Sequence, residues 1–166
     1  MGSEIERKFL LKDHSWREAV QLPPKTMIQG YFPKATGGPT VRVRIADDRG
    51  FITVKGRSKR EDSLVRSEFE YEIPAAEARA MLEEFCGSRI VEKKRYLIPA
   101  GNELVWEIDE YFKLNDGLFT AEIELPSPET SFEKPCWLGE EVTGDPRYSN
   151  GSLSCKPFSL WESRNE

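Results

Sequence analysis

Along most of this chain apolar residues recur at every second position, and charged residues fill the positions between them. In "TVRVRIA" Val41, Val43 and Ile45 alternate with Arg42 and Arg44, and in "FITVKG" Ile52 and Val54 alternate with Thr53 and Lys55. "VRSEFEYEI", "VWEIDEY" and "FTAEIELP" repeat the pattern with Glu70 and Glu72, Glu107 and Asp109, and Glu122 and Glu124 on the charged side. A period of two marks a strand with two unlike faces. Strands are therefore expected near 4–11, 26–32, 40–46, 51–56, 65–73, 89–98, 103–111 and 118–125. "ADDRG" (46–50) and "NDG" (115–117) read as hairpin turns, and "PKATGGP" (33–39) as a longer loop. A helix is expected at about 14–21 and another in "AAEARAMLEEFCG" after Pro74, stopped by Gly87. A third, short helix is expected from Ser127-Pro128, carrying Phe132. From about residue 139 the chain is turn-rich and the pattern assigns no element.

A length of 166 residues suits one domain, taken as 1–166, with a core of useful size. Apolar residues make up 38% and charged residues 32%, too apolar for a disordered chain and unusually charged for a folded one. The net charge of −5 argues against a nucleic-acid surface, which needs a basic excess. No apolar run is long enough to span a membrane, and no basic and apolar leader opens the chain. Three widely spaced cysteines, Cys86, Cys136 and Cys155, suit a reducing cytoplasm and give no zinc spacing. The lone His14 stands at a helix start and offers no Ser-His-Asp or Cys-His mechanism.

The charged faces carry the chemistry. Any one such strand reads as half of a sheet wetted on one side. Here, however, the charges come as same-sign doublets, Glu4/Glu6, Arg42/Arg44, Glu70/Glu72, Glu107/Asp109 and Glu122/Glu124. Like charges side by side repel unless a counter-ion lies between them. An eight-stranded antiparallel sheet can close into a barrel, with the charged face inside and the apolar face outside under a few helices. Arg42, Arg44, Lys55, Lys93 and Arg95 would then offer donors to phosphate oxygens, and the carboxylates hard oxygen ligands for Mg²⁺ or Mn²⁺. "RIVEKKRYLI" alternates less cleanly; Lys93 is assigned inward over Lys94 because it shares the face of Arg95.

"EIERK" resembles the E-x-E-x-K signature of the CYTH superfamily, the triphosphate tunnel metalloenzymes. "VRVR", "TVKG", "KKR", "WEIDEY", "AEIEL" and "YSNGSL" follow in that family's order. The resemblance implies a mainly β fold, a closed eight-stranded antiparallel tunnel binding a linear triphosphate with divalent metal. It implies Glu4, Glu6, Glu122 and Glu124 as metal ligands, and Arg42, Arg44, Lys55, Lys93 and Arg95 as the triphosphate cradle. Lys8 matches the signature lysine, and Tyr31 in "IQGYF" the tyrosine that partners it in short bacterial members. Glu70, Glu72, Glu107 and Asp109 would bind metal or orient the arginines. Family members hydrolyse tripolyphosphate, thiamine triphosphate or RNA 5′-triphosphates, or make cyclic AMP from ATP. Phe69, Tyr71 and Trp106 all fall on the apolar face, leaving no obvious aromatic cluster on the charged face to recognise a base. The expected activity is therefore hydrolysis of inorganic tripolyphosphate to diphosphate and phosphate, with class IV adenylate cyclase, thiamine or nucleoside triphosphatase, and a non-catalytic polyphosphate-binding module as alternatives. The expected partner is the small-molecule substrate, with no nucleic acid or membrane, in a monomer or homodimer.

Overall fold

The alternating segments become strands because only an extended backbone puts all their apolar side chains on one side. The structure, a computed structural model, describes residues 5–57 and 66–161, so Glu4 lies outside the described residues. The strands are β1 (Ile5–Leu11), β2 (Lys25–Tyr31), β3 (Thr40–Ala46), β4 (Arg49–Lys55) and β5 (Glu68–Ile73). They continue with β6 (Ile90–Gly101), β7 (Leu104–Tyr111), β8 (Phe119–Leu125) and β9 (Leu138–Glu141). All neighbours pair antiparallel in the order β5-β4-β3-β2-β6-β7-β8-β1-β9.

This corrects the expectation of a closed eight-stranded barrel. The sheet has nine strands and is open, with β5 and β9 at its edges. The physical reason is local: closure needs the second edge of β1, and β9 occupies that edge by pairing Phe9 with Glu141 and Leu11 with Leu138. The sheet still curls strongly. Lys55 on β4 acts on Glu6 of β1, although the two strands lie far apart in the sheet order.

The outer face holds most of the core. Over β6, β7, β8 and β1, Phe9, Trp16, Ile98, Trp106, Ile108, Ala121, Ile123, Leu125 and Trp137 form one buried cluster. Trp106 meets Phe9, Phe132 and Trp137 edge-on at 5.6–5.8 Å, and such ring pairs add about 0.5–1.5 kcal/mol each beyond their buried area. Over β2, β3 and β4 lies the helix α1 (Ala75–Met81), prolonged by a π-turn to Cys86 and ended by Gly87 at φ 59°. Gly30 makes that packing fit, since a Cβ there would lie 2.7 Å from the Cys86 sulfur. The segment expected to be helical at 14–21 is a 3₁₀ turn, Ser15–Ala19, pinned by the fully buried Trp16. The helix expected from Ser127 is a turn closed by the Thr130 N–H on the Ser127 carbonyl; prolines at 126 and 128 deny it the donors of a first helical turn.

The inner face is charged along most of its length but apolar at one end. There Val91, Tyr111, Leu118, Val142, Tyr148 and Leu153 pack together, and the short helix α2 (Asn150–Cys155), capped by Ser149, closes that end of the lumen.

Candidate active site

Strand register decides which charges meet. Glu6 lies opposite Glu124, Lys8 opposite Glu122, and Glu107 opposite Glu122. Arg95 lies opposite Asp109, Gln29 opposite Arg44, and Tyr31 opposite Arg42. Because side chains alternate along a strand, all these residues share the inner face. The register settles the choice at "EKKR": Lys93 is fully buried in the lumen, whereas Lys94 is exposed on the other face.

The lumen has two unlike walls. On β6, β7, β8 and β1 the cations are matched by carboxylates. Lys93 Nζ donates to Asp109 at 2.7 Å and to the Asn150 side chain at 3.1 Å. Arg95 forks onto both Asp109 oxygens at 2.8 and 2.9 Å and also pairs with Glu107. Lys8 Nζ pairs with Glu122 at 3.0 Å and donates to the Tyr148 carbonyl at 3.1 Å. On β3 and β4 the matching is loose. Lys55 stands 3.8 Å from Glu68, and Arg42 stands 3.7 Å from Glu70 while bonding Thr53 at 3.1 Å. Arg42 Nε is buried with no acceptor among the described residues. Arg44 has no carboxylate within ion-pair distance among the described residues; its Nε donates to the neutral Gln29 amide at 2.8 Å.

These contacts set the proton affinities. Burial, with Arg42 and Arg95 nearby, pulls Arg44 down to about 10, the mark of a wall with more positive charge than it can match. Burial also pulls Lys93 down to about 7, with Asp109 opposing and Arg95 and Arg44 assisting. Burial works against an ionised Asp109, but Lys93 and Arg95 hold its carboxyl well below the usual range. For Lys8, burial is outweighed by Glu122, Glu6 and Asp109, so the ammonium is held above its ordinary value. Glu6 is open to the lumen, yet the surrounding walls and the adjacent Glu122 push its carboxyl up to about 7. Two carboxylates this close are stabilised by a shared proton or a cation.

Asp109→Asn tests the matched wall. Removing one partner of a buried ion pair leaves its cations uncompensated and is expected to cost about 3–5 kcal/mol. Stability rises with pH wherever the unfolded chain binds more protons. Lys93 is already depressed to about 7 and would be depressed further without Asp109. Both proteins should therefore gain stability from about pH 7 towards the ordinary lysine value, and the variant should begin its gain below pH 7, where the parent does not. Thermal unfolding of both proteins across that window measures it; a flat profile and a loss below about 1 kcal/mol would refute this account of the wall.

Of the residues expected from sequence, Glu6, Lys8, Arg42, Arg44, Lys55, Glu70, Lys93, Arg95, Glu107, Asp109, Glu122 and Glu124 share the inner face. Glu72 is drawn to Arg49 at the rim, with contacts of 2.6 and 2.9 Å. Tyr31 is in the lumen, but its hydroxyl accepts from Gln29 at 2.8 Å, while Lys8 bonds Glu122 and Tyr148 instead. Gln29 and Asn150 are among the lumen residues that the sequence pattern did not single out. Gln29 shares the alternation of Tyr31 and was legible in principle; Asn150 lies on α2, which no periodicity marks. His14 sits edge-on to Phe119 at 5.0 Å, away from the charged lumen.

A curled antiparallel sheet with a doubly charged inner face defines the class, and comparison with known proteins agrees. Residues 2–153 match the CYTH domain, and the chain belongs to the CYTH family. It is 42% identical to an inorganic triphosphatase of Acetivibrio thermocellus over 95% of this chain and 97% of that protein. It is 33% identical to an inorganic triphosphatase of Nitrosomonas europaea over 92% of this chain and 97% of that one. The crystal structure of an inorganic triphosphatase superposes with a TM-score of 0.68 at 31% identity, covering 93% of this chain and 95% of that one. CYTH triphosphatases are metal-dependent in general. Among the described residues no helix is long and apolar enough to cross a membrane.

Proposed function

We propose that this protein is an inorganic triphosphatase, cleaving tripolyphosphate to diphosphate and phosphate inside the curled sheet. The observation that carries this reading is the under-matched wall: among the described residues, Arg44 has no carboxylate in ion-pair distance and Arg42 has a buried donor lacking an acceptor. A buried donor left unpaired costs about 1–3 kcal/mol, and phosphate oxygens are the acceptors that guanidinium forks suit best. The inorganic triphosphatases that this chain resembles support the same reading.

Among the described residues no three metal-ligating side chains surround one point. The donor set nevertheless fits Mg²⁺ or Mn²⁺, which commonly take one or two carboxylates and complete their shell with phosphate oxygens and water. Glu6, Glu122 and Glu124 would hold the ion, with Glu4 added by resemblance. When bound, it supplies positive charge against the phosphate oxygens and lowers the pKa of the attacking water.

The protein's own groups do the rest. Arg42, Arg44 and Lys55 bind the phosphate chain along one wall, and their charge offsets that on the transferring phosphoryl. Lys93 and Arg95 extend the cradle at depth, held in place by Asp109 and Glu107, which we assign to orienting these cations rather than to metal. Glu70 has the same part for Arg42. Lys8, kept as an ammonium by Glu122, serves as a cation and proton donor toward the leaving diphosphate, not as a base. Tyr31, whose phenol burial pushes up, keeps its proton and acts as a donor. The setting we assign is cytoplasmic, with a small-molecule substrate.

A substrate panel tests the proposal: phosphate release from tripolyphosphate, ATP, thiamine triphosphate and diphosphate, with Mg²⁺ and with Mn²⁺. Tripolyphosphate should lead ATP in kcat/KM by at least about ten-fold, roughly 1.4 kcal/mol. Equal use of ATP with cyclic AMP as product would overturn the assignment.

A further inference from the structure

Gln29 is a neutral, fully buried residue on the inner face, set among the charged side chains of the lumen. It lies on β2, opposite Arg44 in register and two residues before Tyr31 on the same face. Its amide is used at both ends: Oε1 accepts from Arg44 Nε at 2.8 Å, and Nε2 donates to the Tyr31 hydroxyl at 2.8 Å. The orientation is forced, because a guanidinium only donates; turning the amide over would set N–H against N–H.

We infer that Gln29 is a positioning residue that aims Arg44 and the Tyr31 hydroxyl proton at the substrate together. The inference rests on the proposed triphosphate site, in which Arg44 binds phosphate and Tyr31 donates.

The first half follows from what remains free on Arg44. With Nε tied back to Gln29, its two terminal nitrogens are left as a fork, the geometry that makes two parallel bonds to a phosphate. The tether must also be uncharged. On the opposite wall Arg95 is held by Asp109 and Glu107, and much of its charge is offset by them. A carboxylate at position 29 would hold Arg44 as firmly and neutralise it equally. An amide holds the group and leaves its charge for the substrate.

The second half follows from the hydroxyl. Its oxygen receives the Gln29 N–H, and the guanidinium of Arg42, paired with Tyr31 in register, bears on the same oxygen. Both neighbours only donate in that direction, so the phenolic proton turns away from both. Gly151 of α2 packs beside the ring, where a Cβ would lie 3.8 Å from it, so the ring is held on that side too. With donors behind the oxygen and the ring fixed, the O–H is left to point along the lumen.

The test uses kcat and KM on tripolyphosphate for Gln29→Met, Gln29→Glu, Tyr31→Phe, Arg44→Ala, and the doubles Gln29→Met/Tyr31→Phe and Gln29→Glu/Tyr31→Phe. Gln29→Met should raise KM and lower kcat to near the Tyr31→Phe value, and the double should fall no more than about two-fold further, because the pair acts as a unit. Gln29→Glu keeps the tether, gains an ion pair with Arg44 and draws the Tyr31 proton to itself. It should therefore fold as stably as the parent, raise KM by at least about ten-fold and show the same kcat coupling to Tyr31→Phe. Gln29→Glu thus decides the matter even if Gln29→Met folds poorly. Impaired Tyr31→Phe and Arg44→Ala beside Gln29 variants within about two-fold of the parent, or kcat losses that multiply, would overturn this inference and leave the site reading standing. Parent-like Tyr31→Phe and Arg44→Ala enzymes would overturn both.

Discussion

Arg44→Ala is expected to lower kcat/KM for tripolyphosphate by about a thousand-fold, roughly 4 kcal/mol, while leaving the substrate-free fold nearly as stable as the parent. The two halves of that expectation have one cause. Arg44 is crowded by Arg42 and Arg95, has no carboxylate partner in reach among the described residues, and has its pKa pulled down to about 10 by burial and those neighbours. Such a group contributes little to an empty lumen and much to one holding a polyanion. Removing it relieves repulsion and leaves only the Gln29 oxygen short of a donor, a cost of about 1 kcal/mol. Arg95→Ala is the control on the matched wall. It too should lose activity, but it should also unfold more readily, because Asp109 and Glu107 lose the cation they are bonded to. Initial rates and thermal unfolding of the two variants, side by side, make the comparison. An Arg44→Ala enzyme within about ten-fold of the parent would sink the assignment of this wall to phosphate binding.

Glu6→Gln is expected to remove metal-dependent activity by at least about a hundred-fold, and to stabilise the metal-free protein at alkaline pH. The lumen walls and Glu122 push the Glu6 carboxyl up to about 7 from an ordinary 4.5. A carboxyl raised on folding binds its proton more tightly in the folded state, so stability falls as pH rises between those two values. With EDTA present, the parent should lose thermal stability from about pH 5 to pH 8. Glu6→Gln should be flat over that range, so the two should be nearest at the acid end and furthest apart at the alkaline end. Adding Mn²⁺ at pH 8 should raise the parent's midpoint and leave the variant's almost unchanged. A Glu6→Gln protein that melts below the parent at pH 8 in EDTA, or that keeps its Mn²⁺-dependent activity, would refute the like-charge account of this site.

Most strands were legible because they obey one rule, apolar outside and charged inside; β2, with Met27, Gln29 and Tyr31 inside, and β6, with Glu92 and Lys94 outside, depart from it. That rule also placed Lys93 rather than Lys94 in the lumen. The openness of the sheet was not legible, because it depends on β9. "LGEE" is too short to show a period, and its place on β1 comes from the packing of Trp137 and the pairing of Arg7 with Glu141. α2 was hidden for a similar reason: "NGSLSC" has poor helix formers and owes its turn to the Ser149 cap and its burial at the lumen end. The site's charged residues announced themselves by composition. Their division into a matched and an under-matched wall did not, since it depends on which strands become neighbours. Asp109 faces Arg95 across one register, whereas Arg44 faces a glutamine across another.

Phosphorus NMR of tripolyphosphate incubated with the protein tests the central claim most directly, run with Mg²⁺, with Mn²⁺ and with EDTA. The account predicts diphosphate and phosphate appearing together in equal amounts with metal, no cleavage in EDTA, and no further breakdown of the diphosphate. Intact tripolyphosphate in the presence of both metals, or equal cleavage in EDTA, would contradict it.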